Sequence, residues 1–488
     1  MPVEELMYHL RYRASLRGAL ERRDSQRVGR VRRRWQGLLF GCWLVFSLCA
    51  ARPGQADTFQ EALAQAYQSN PLLRAARAQL HAADEQVPQA LSNWRPSVLA
   101  IPETGKKYEA STYTYATREV NLTPWNIRAT IRQNLYNGGQ TVAAVKRAEA
   151  EVRASRARLL ATEQRILFEA GAVYSDVVRD RAVLELNKNN EQVLTRQLEV
   201  TRERFEIGEV TRTDVAQAES RLSRTIAERV AAQGRLDSSR AAYQNIIGSP
   251  SGSLRPTSPL DDLPGSLDEA IATARMSSPE VIAARFAVRA ATATIDKIRG
   301  QLLPSLDLEA SLGRRESASS TEMRNFATEI SARLTIPLYQ QGSVSSQVRE
   351  AKHIHRQRVL EFDAAVRKAT REATRAWKDL TTAQGQVEAF RAEIQAASIA
   401  LDGVVQEEQI GSRTILDVLD AEQELLDARS NLAIATRNEI VVSLELRQVV
   451  GTLTAQALAL PVRLYDPEAN YRRVRGKWWG TGISHEDP

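Results

Sequence analysis

The chain is short of cysteine. Of its 488 residues only Cys42 and Cys49 are cysteines, and both fall within the first 56 positions. The remainder can form no disulfide, so packing or assembly has to stabilise it. Aromatic residues make up only 6%, low for a broad compact core. Alanine and leucine carry the apolar content instead, which favours long helices packed at close range. Long apolar runs are scarce as well. Outside one segment near the N-terminus none reaches the ~20 residues of a spanning helix, which excludes a polytopic helical membrane protein. There is no phosphate loop of the Gly-x-x-x-x-Gly-Lys kind. The five histidines are scattered, and His353 and His355, two positions apart, point to different faces of a helix. No metal site and no cofactor are expected, and no serine, cysteine or carboxylate constellation suggests an enzyme.

What is present is near the globular average, with 43% hydrophobic and 26% charged residues, so wholesale disorder is excluded. The formal net charge is +7, yet residues 1–56 hold eleven Arg against four acids, leaving 55 basic and 55 acidic residues beyond them. A basic body that binds nucleic acid is excluded on that balance. Within residues 1–56 an unusually long Arg-rich stretch ends at Arg32-Arg33-Arg34. An apolar run from Leu38 to Ala51 follows, then Arg52-Pro53-Gly54-Gln55-Ala56. This is the order of a secretory signal peptide cut after Ala56. The competing interpretation is an N-terminal anchor helix, for which the apolar run is short.

The rest of the chain repeats itself once. Thr58-Phe59-Gln60-Glu61-Ala62 through Asn70-Pro71 matches Ser266-Leu267-Asp268-Glu269-Ala270 through Ser278-Pro279, at an offset of 208. Leu135-Tyr136 with Gly139 matches Leu338-Tyr339 with Gly342 at an offset of 203, and that offset holds for Gly208 with Gly411, Asp214 with Asp417 and Gly248 with Gly451. A constant register over so long a span indicates internal duplication. It divides the chain into a first repeat (57–248), a Pro-, Ser- and Gly-rich linker (249–265), a second repeat (266–451) and a tail (452–488). Each repeat predicts a short helix broken at Pro71 or Pro279, a second helix to about Trp94 or Leu302, about 40 residues of strand-like sequence, and then a very long helical region. No proline falls between Trp125 and Ser249 or between Leu338 and Leu460. The 69 residues from Gly139 to Ile207 would reach about 100 Å as one helix. Gly208 and Gly411, each followed by Thr or Ser and then Asp, predict hairpin tips. Val145, Val152, Leu159, Ile166 and Val173 recur every seven residues, as do Val418, Leu425 and Leu432 with Ala421, Ala428 and Ala435 between them. Large residues at one seam position and small ones at the other permit close antiparallel packing.

The strand-like segments decide the class. Phe326, Thr328, Ile330, Ala332, Leu334 and Ile336 alternate with Ala327, Glu329, Ser331, Arg333 and Thr335. Leu306 to Gly313 and Ile127 to Leu135 alternate likewise, and a fourth candidate runs from Val98 to about Thr117, interrupted by Pro102. Segments of about ten residues, apolar on one face and charged on the other, suit transmembrane β-strands; a soluble two-sided sheet would alternate in the same way. Four strands cannot close a membrane barrel, so several chains would have to share one.

These features together resemble the TolC family of outer-membrane efflux and secretion channels. The resemblance rests on Glu61-Ala62-Leu63 to Asn70-Pro71, the Leu-Tyr-x-x-Gly boundaries, and the tips Gly208-Glu209-Val210-Thr211-Arg212-Thr213-Asp214 and Gly411-Ser412-Arg413-Thr414-Ile415-Leu416-Asp417. The tail, Tyr465-Asp466-Pro467 to Asn470-Tyr471 and Lys477-Trp478-Trp479-Gly480, is similar to the branch serving type I protein secretion. The resemblance implies a mainly α fold with a small β part: duplicated long helical hairpins form a periplasmic tunnel, and a homotrimer shares one barrel of 12 strands, four from each protomer. It implies a place in the outer membrane of a Gram-negative bacterium, among outer-membrane lipid, with most of the mass in the periplasm. The partners it implies are a periplasmic adaptor and an inner-membrane pump of ABC or RND type. Carried over by position, Asp417 and Asp420 would ring the periplasmic aperture. Arg413, Thr213 and Asp214 would hold the entrance shut, and the tips at Gly208 and Gly411 would meet the adaptor. Trp125, Tyr136 and Tyr339, at strand ends, are candidates for an aromatic girdle. One departure stands out. The family's tyrosine three residues before the second tip glycine is Glu408 here, which would repel Asp214 rather than bond it. A drug-efflux duct shares all of this. A periplasmic adaptor would need one hairpin and a retained anchor, and a cytosolic helical rod is opposed by the leader and the strands.

Overall fold

The computed structural model describes residues 58–316 and 324–483. The expected signal peptide lies outside the described residues.

The first repeat opens with α1 (Phe59–Ser69), capped by a reciprocal pair in which the Thr58 side chain accepts from the Glu61 amide and Glu61 from the Thr58 amide. The Asn70-Pro71 motif then works as a hinge. Asn70 ends α1, and its side chain accepts from Leu72 N at 2.9 Å to start α2 (Pro71–Asp84). Pro71 sits at the first position, where no N–H is required. Asn70 also donates to the Ile246 carbonyl at 3.1 Å, tying the hinge to the far end of the same repeat. The expected single second helix is divided here. Pro88 lacks the N–H that would continue the helix, so the chain restarts as α3 (Gln86–Leu91). In the second repeat Asp296 stands at the equivalent position and α7 (Pro279–Arg299) runs unbroken after α6 (Leu267–Ser277).

The strands are β1 (Ser97–Thr104), β2 (Lys107–Tyr113), β3 (Ala116–Leu122), β4 (Trp125–Asn137), β5 (Ser305–Glu316) and β6 (Arg324–Thr335). Four of them form an antiparallel sheet in the order β1-β4-β5-β6. The segment expected as one weak strand from Val98 to about Thr117 instead reverses at Thr114-Tyr115 and returns as β3. The β2–β3 pair keeps the register of β1–β4, with Thr104 opposite Trp125 and Lys107 opposite Leu122, so the two pairs form one long hairpin interrupted at Pro124. Pro102 does not break β1, because β1 is an edge strand of this sheet, where a missing donor is tolerated.

Register aligns the apolar face across all four strands. Val98, Ile131, Ala310 and Ile330 form one row, and Ala100, Ala129, Leu312 and Thr328 the next. A bulge between Asn134 and Tyr136 sets Tyr136 opposite Leu306. This face is open: Ile330 is 74% exposed and Val98 71%. So large an apolar face is what a bilayer covers, not water. At ~3.3 Å per residue and a tilt of about 40°, the 12-residue strands β5 and β6 span roughly 30 Å, the thickness of a hydrocarbon core.

After the strands come α4 (Gln140–Glu206) and α8 (Ser343–Gln409), each of 67 residues, or about 100 Å. Each folds back at a tip into α5 (Arg212–Ile247) or α9 (Ile415–Val449). Among the described residues no helix is long and apolar enough to cross a membrane. The heptad stripe is buried where α4 meets its neighbours: Val152, Leu159 and Ile166 are enclosed, as are Ala428 and Ala435 in α9. The main core gathers Leu63, Tyr67, Leu73 and Leu80 with Ile166, Leu167 and Tyr174 of α4, Tyr243 and Ile247 of α5, and Leu444 of α9. Each such side chain contributes about 1.5–3 kcal/mol by burial. The second core, around Ala369, Ala373, Ala376 and Leu380, is built mostly of alanine, which brings helix axes close.

The tail, with α10 (Ala469–Val474), folds against the first repeat. Arg77 stacks between the rings of Tyr67 and Tyr465, and Tyr67 accepts from the Tyr465 amide at 3.1 Å. Asn470 donates to the buried Asp84 at 2.8 Å.

Candidate functional site

Both tips are built alike. Gly208 and Gly411 hold φ of +80° and +79°, a conformation suited to glycine. The following amides satisfy the last carbonyls: Glu209 donates to Arg204 O at 2.9 Å and Ser412 to Glu407 O at 2.9 Å. The return helices start on matched caps. Thr211 exchanges hydrogen bonds with Asp214, and Thr414 with Asp417. Two of these bonds from Thr414, one through its amide and one through its hydroxyl, hold the Asp417 carboxyl below the usual range, with Arg413 adding to the effect. Gly208 and Gly411 have open space around them. Beside them Ile207 and Ile410 stand 71% and 80% exposed, an equivalent apolar pair missed in the sequence although it obeys the repeat offset.

The residues expected to link the coils are placed as follows. Arg413 pairs within its own tip, with Glu407 at 3.0 Å and Asp417 at 3.8 Å. Asp214 is engaged by the Thr211 cap, and Thr213 is exposed. Asp417 and Asp420 share one face of α9 by their spacing, and Asp420 pairs with Arg221 of α5.

Near the tips the hairpins are joined by the ion pairs Arg221–Asp420 and Arg204–Glu408, the latter at 2.6 Å, and farther from the tips Arg437 of α9 pairs with Asp176 of α4 at 2.8 Å. Glu408, which cannot bond Asp214, is met by an arginine instead. A signal for this was available. The second tip carries Glu407, Glu408, Asp417, Asp420, Glu422, Glu424 and Asp427 against Arg413 alone over residues 403–427, an excess that calls for cations from another element. Glu422 is the exception that proves informative. Its equivalent, Glu219, is paired with Arg202 at 2.6 Å, but the equivalent of Arg202 is Val405. Burial pushes the Glu422 carboxyl up, and its Oε2 has no hydrogen-bond partner among the described residues.

Trp125 begins β4 opposite Thr104 and Glu316, and Tyr136 lies near the other end of the same strand. Tyr339 lies beyond the end of β6 and is 84% exposed. Among the described residues no group of His, Cys, Asp and Glu is arranged to hold a metal ion.

The family model for outer membrane efflux proteins matches the chain twice, over residues 62–249 and 270–452. The outer membrane efflux protein BepC of Brucella suis is 35% identical over 431 residues, covering 88% of this chain and 93% of its own length. The proteases secretion protein PrtF of Dickeya chrysanthemi is 30% identical over 53% of this chain and 58% of its own. The crystal structure of the Campylobacter jejuni CmeC outer membrane channel superposes with a TM-score of 0.73 at 15% identity, over 86% of this chain and 89% of that one. With an open apolar β face, two long helical hairpins and a doubled family match, the chain belongs to the outer membrane efflux proteins, the TolC family: a channel and not an enzyme, seated in the Gram-negative outer membrane with its helices in the periplasm.

Proposed function

We propose that three copies of this chain close one 12-stranded barrel, and that their helical hairpins continue it as a tunnel forming the exit duct of a tripartite export system. The observation that carries this is the sheet: β1 and β6 are both free edges beside an exposed apolar face, and unpaired strand edges are not tolerated in lipid. The signal peptide is removed after Ala56, leaving the two repeats 57–248 and 266–451 joined by the linker 249–265, with the tail 452–488 packed on the first. At the far end Asp417 and Asp420 of each chain converge on the periplasmic aperture. Arg413, Thr213 and Asp214 support the tip that closes it, and Gly208 and Gly411, with Ile207 and Ile410, meet a periplasmic adaptor. Trp125, Tyr136 and Tyr339 contribute to the interfacial girdle. Energy comes from an inner-membrane pump.

The cargo assigned to this duct is protein, through an ABC-type pump. The Tyr465-Asp466-Pro467 to Lys477-Trp478-Trp479-Gly480 tail and the likeness to a relative named for protease secretion support this. A drug-efflux role, through an RND-type or ABC-type pump, is favoured by the longer match to a relative named for efflux. Deleting the gene and comparing the culture supernatant with drug susceptibility separates the two. Loss of secreted proteins with unchanged susceptibility is expected; raised susceptibility with an unchanged supernatant would transfer the assignment to efflux. A heat-sensitive band near three protomer masses in outer-membrane fractions checks the trimer, and a monomer there would remove the shared barrel.

A further inference from the structure

The tail contains a segment that neither tunnel nor gate employs. Arg472 to Gly480 holds four basic residues, no acid, and the pair Trp478-Trp479. It is held at the end of the sheet where strands give way to helices. Arg95, two residues before β1, donates from Nη1 to the Lys477 carbonyl at 2.7 Å, and its guanidinium lies 5.0 Å from the Trp478 ring centre. On the same level Gln133 of β4 donates to the Trp94 carbonyl at 2.7 Å. The segment is thus fixed in position, yet Trp478 remains 64% and Trp479 88% exposed. Two fixed, adjacent indoles in water are costly, and neither serves the core.

We propose that residues 472–480 are an interfacial anchor, laying Trp478 and Trp479 into the headgroup layer of the periplasm-facing leaflet of the outer membrane. Three observations select lipid as the occupant. The segment is tied through Arg95 to the start of β1, one residue before Val98 enters the exposed apolar row. Tryptophan, with an apolar body and one N–H, is the residue favoured at that depth. Arg472 is taken up by Asp466 and Glu468, but the segment itself carries no acid and its remaining positive charge complements lipid phosphates, which long basic side chains reach by extending along the interface. Arg475, shared with Glu149 at 3.4 Å, and Lys477, whose Nζ donates to the Gly482 carbonyl at 2.8 Å, are the phosphate partners. The anchor rests on the sheet spanning the outer membrane.

The test reconstitutes the full mature chain in vesicles of phosphatidylethanolamine and phosphatidylglycerol carrying bromine high on the acyl chains. Wild type is compared with the variant W478F/W479F, and the difference in emission reports the two indoles. Bromine is expected to reduce that difference, because indoles favour that depth, with aqueous iodide having little effect. Quenching by iodide alone would place the pair in periplasmic water, and quenching by neither would place it against the neighbouring protomer; either result overturns the anchor. The variant retains Trp94, Trp125 and Trp377, so adding W94F and W377F to it leaves Trp125 as the sole indole of the mature chain, which separates this from failure of the barrel. If its emission too ignores bromine, the sheet is not in the bilayer and both conclusions fall. Should the double variant not assemble, W478F and W479F singly carry the same measurement.

Discussion

The contact between Arg204 and Glu408 offers the sharpest test of how the entrance is held. Arg204 Nη1 lies 2.6 Å from Glu408 Oε1, and the two come from different hairpins. The Glu408 side chain is only 13% exposed and the arginine 35%, so water screens the pair less than a fully exposed one. An exposed pair would contribute about 0–1 kcal/mol, and stranding one partner of a buried pair would cost about 3–5. This half-buried pair falls between, at about 1–2 kcal/mol, equivalent to a 5–30-fold change in the equilibrium between joined and separated hairpins. Arg204→Ala leaves Glu408 without its cation, so it should raise the frequency of high-conductance openings of single channels in planar bilayers by that factor. The charge exchange R204E/E408R should restore wild-type behaviour. If R204A channels open as rarely as wild type, or if the exchange behaves as two independent losses, the pair does not hold the entrance and the gating argument built on it fails.

Other expectations are smaller. Asp417→Ala with Asp420→Ala should weaken block by divalent cations at low voltage, whereas Asp420→Asn alone, which spares the Thr414 cap, should weaken it less; unchanged block would take both residues out of the aperture. Because the Asp417 carboxyl is held low by the cap, its contribution to the start of α9 is present above the ordinary aspartate range and lost as pH falls through its depressed value; amide exchange at residues 415–418 should rise there and not at neutral pH. Replacing Gly208 or Gly411 by Val forces a β-branched residue into positive φ at a cost of about 1–3 kcal/mol, and should impair export while trimers still form on gels. Glu422 behaves in the opposite sense to Asp417. Burial raises its carboxyl, so the stability it lends is full below the ordinary glutamate range and lost as pH rises through the raised value. Glu422→Gln should therefore melt higher than wild type at neutral pH, and the gap should close in acid.

Much of this architecture was legible in the chain because it is written in local chemistry repeated twice. Asn70-Pro71 and Ser278-Pro279 mark helix junctions by capping and by proline's missing donor. Gly208 and Gly411 mark the tips, and the alternation from Phe326 to Ile336 marks a strand with one apolar face. The reversal at Thr114-Tyr115 was not legible. Its flanks are Thr, Tyr and Ala, residues at home in strands, with no glycine or proline to announce a turn. The division of α2 from α3 was legible and overlooked, since Pro88 stands in plain view. The site was less readable than the fold. Caps at Asp214 and Asp417 are local, three residues from their threonines. Arg204 and Glu408 are 204 positions apart, and the acidic excess around the second tip marks the need for a cation but not which arginine the packing of two hairpins delivers.

The equal lengths of α4 and α8, 67 residues each, carry a consequence for how such a chain can change. A seven-residue insertion preserves the heptad stripe and lengthens a helix by about 10 Å. Made in α4 and α5 but not in α8 and α9, it would lower one tip past the other and carry Arg204 two turns beyond Glu408. Adapting to a wider gap between membranes thus requires four matched insertions, one in each arm. The duplication that built the chain also acts as a ruler that both halves must keep.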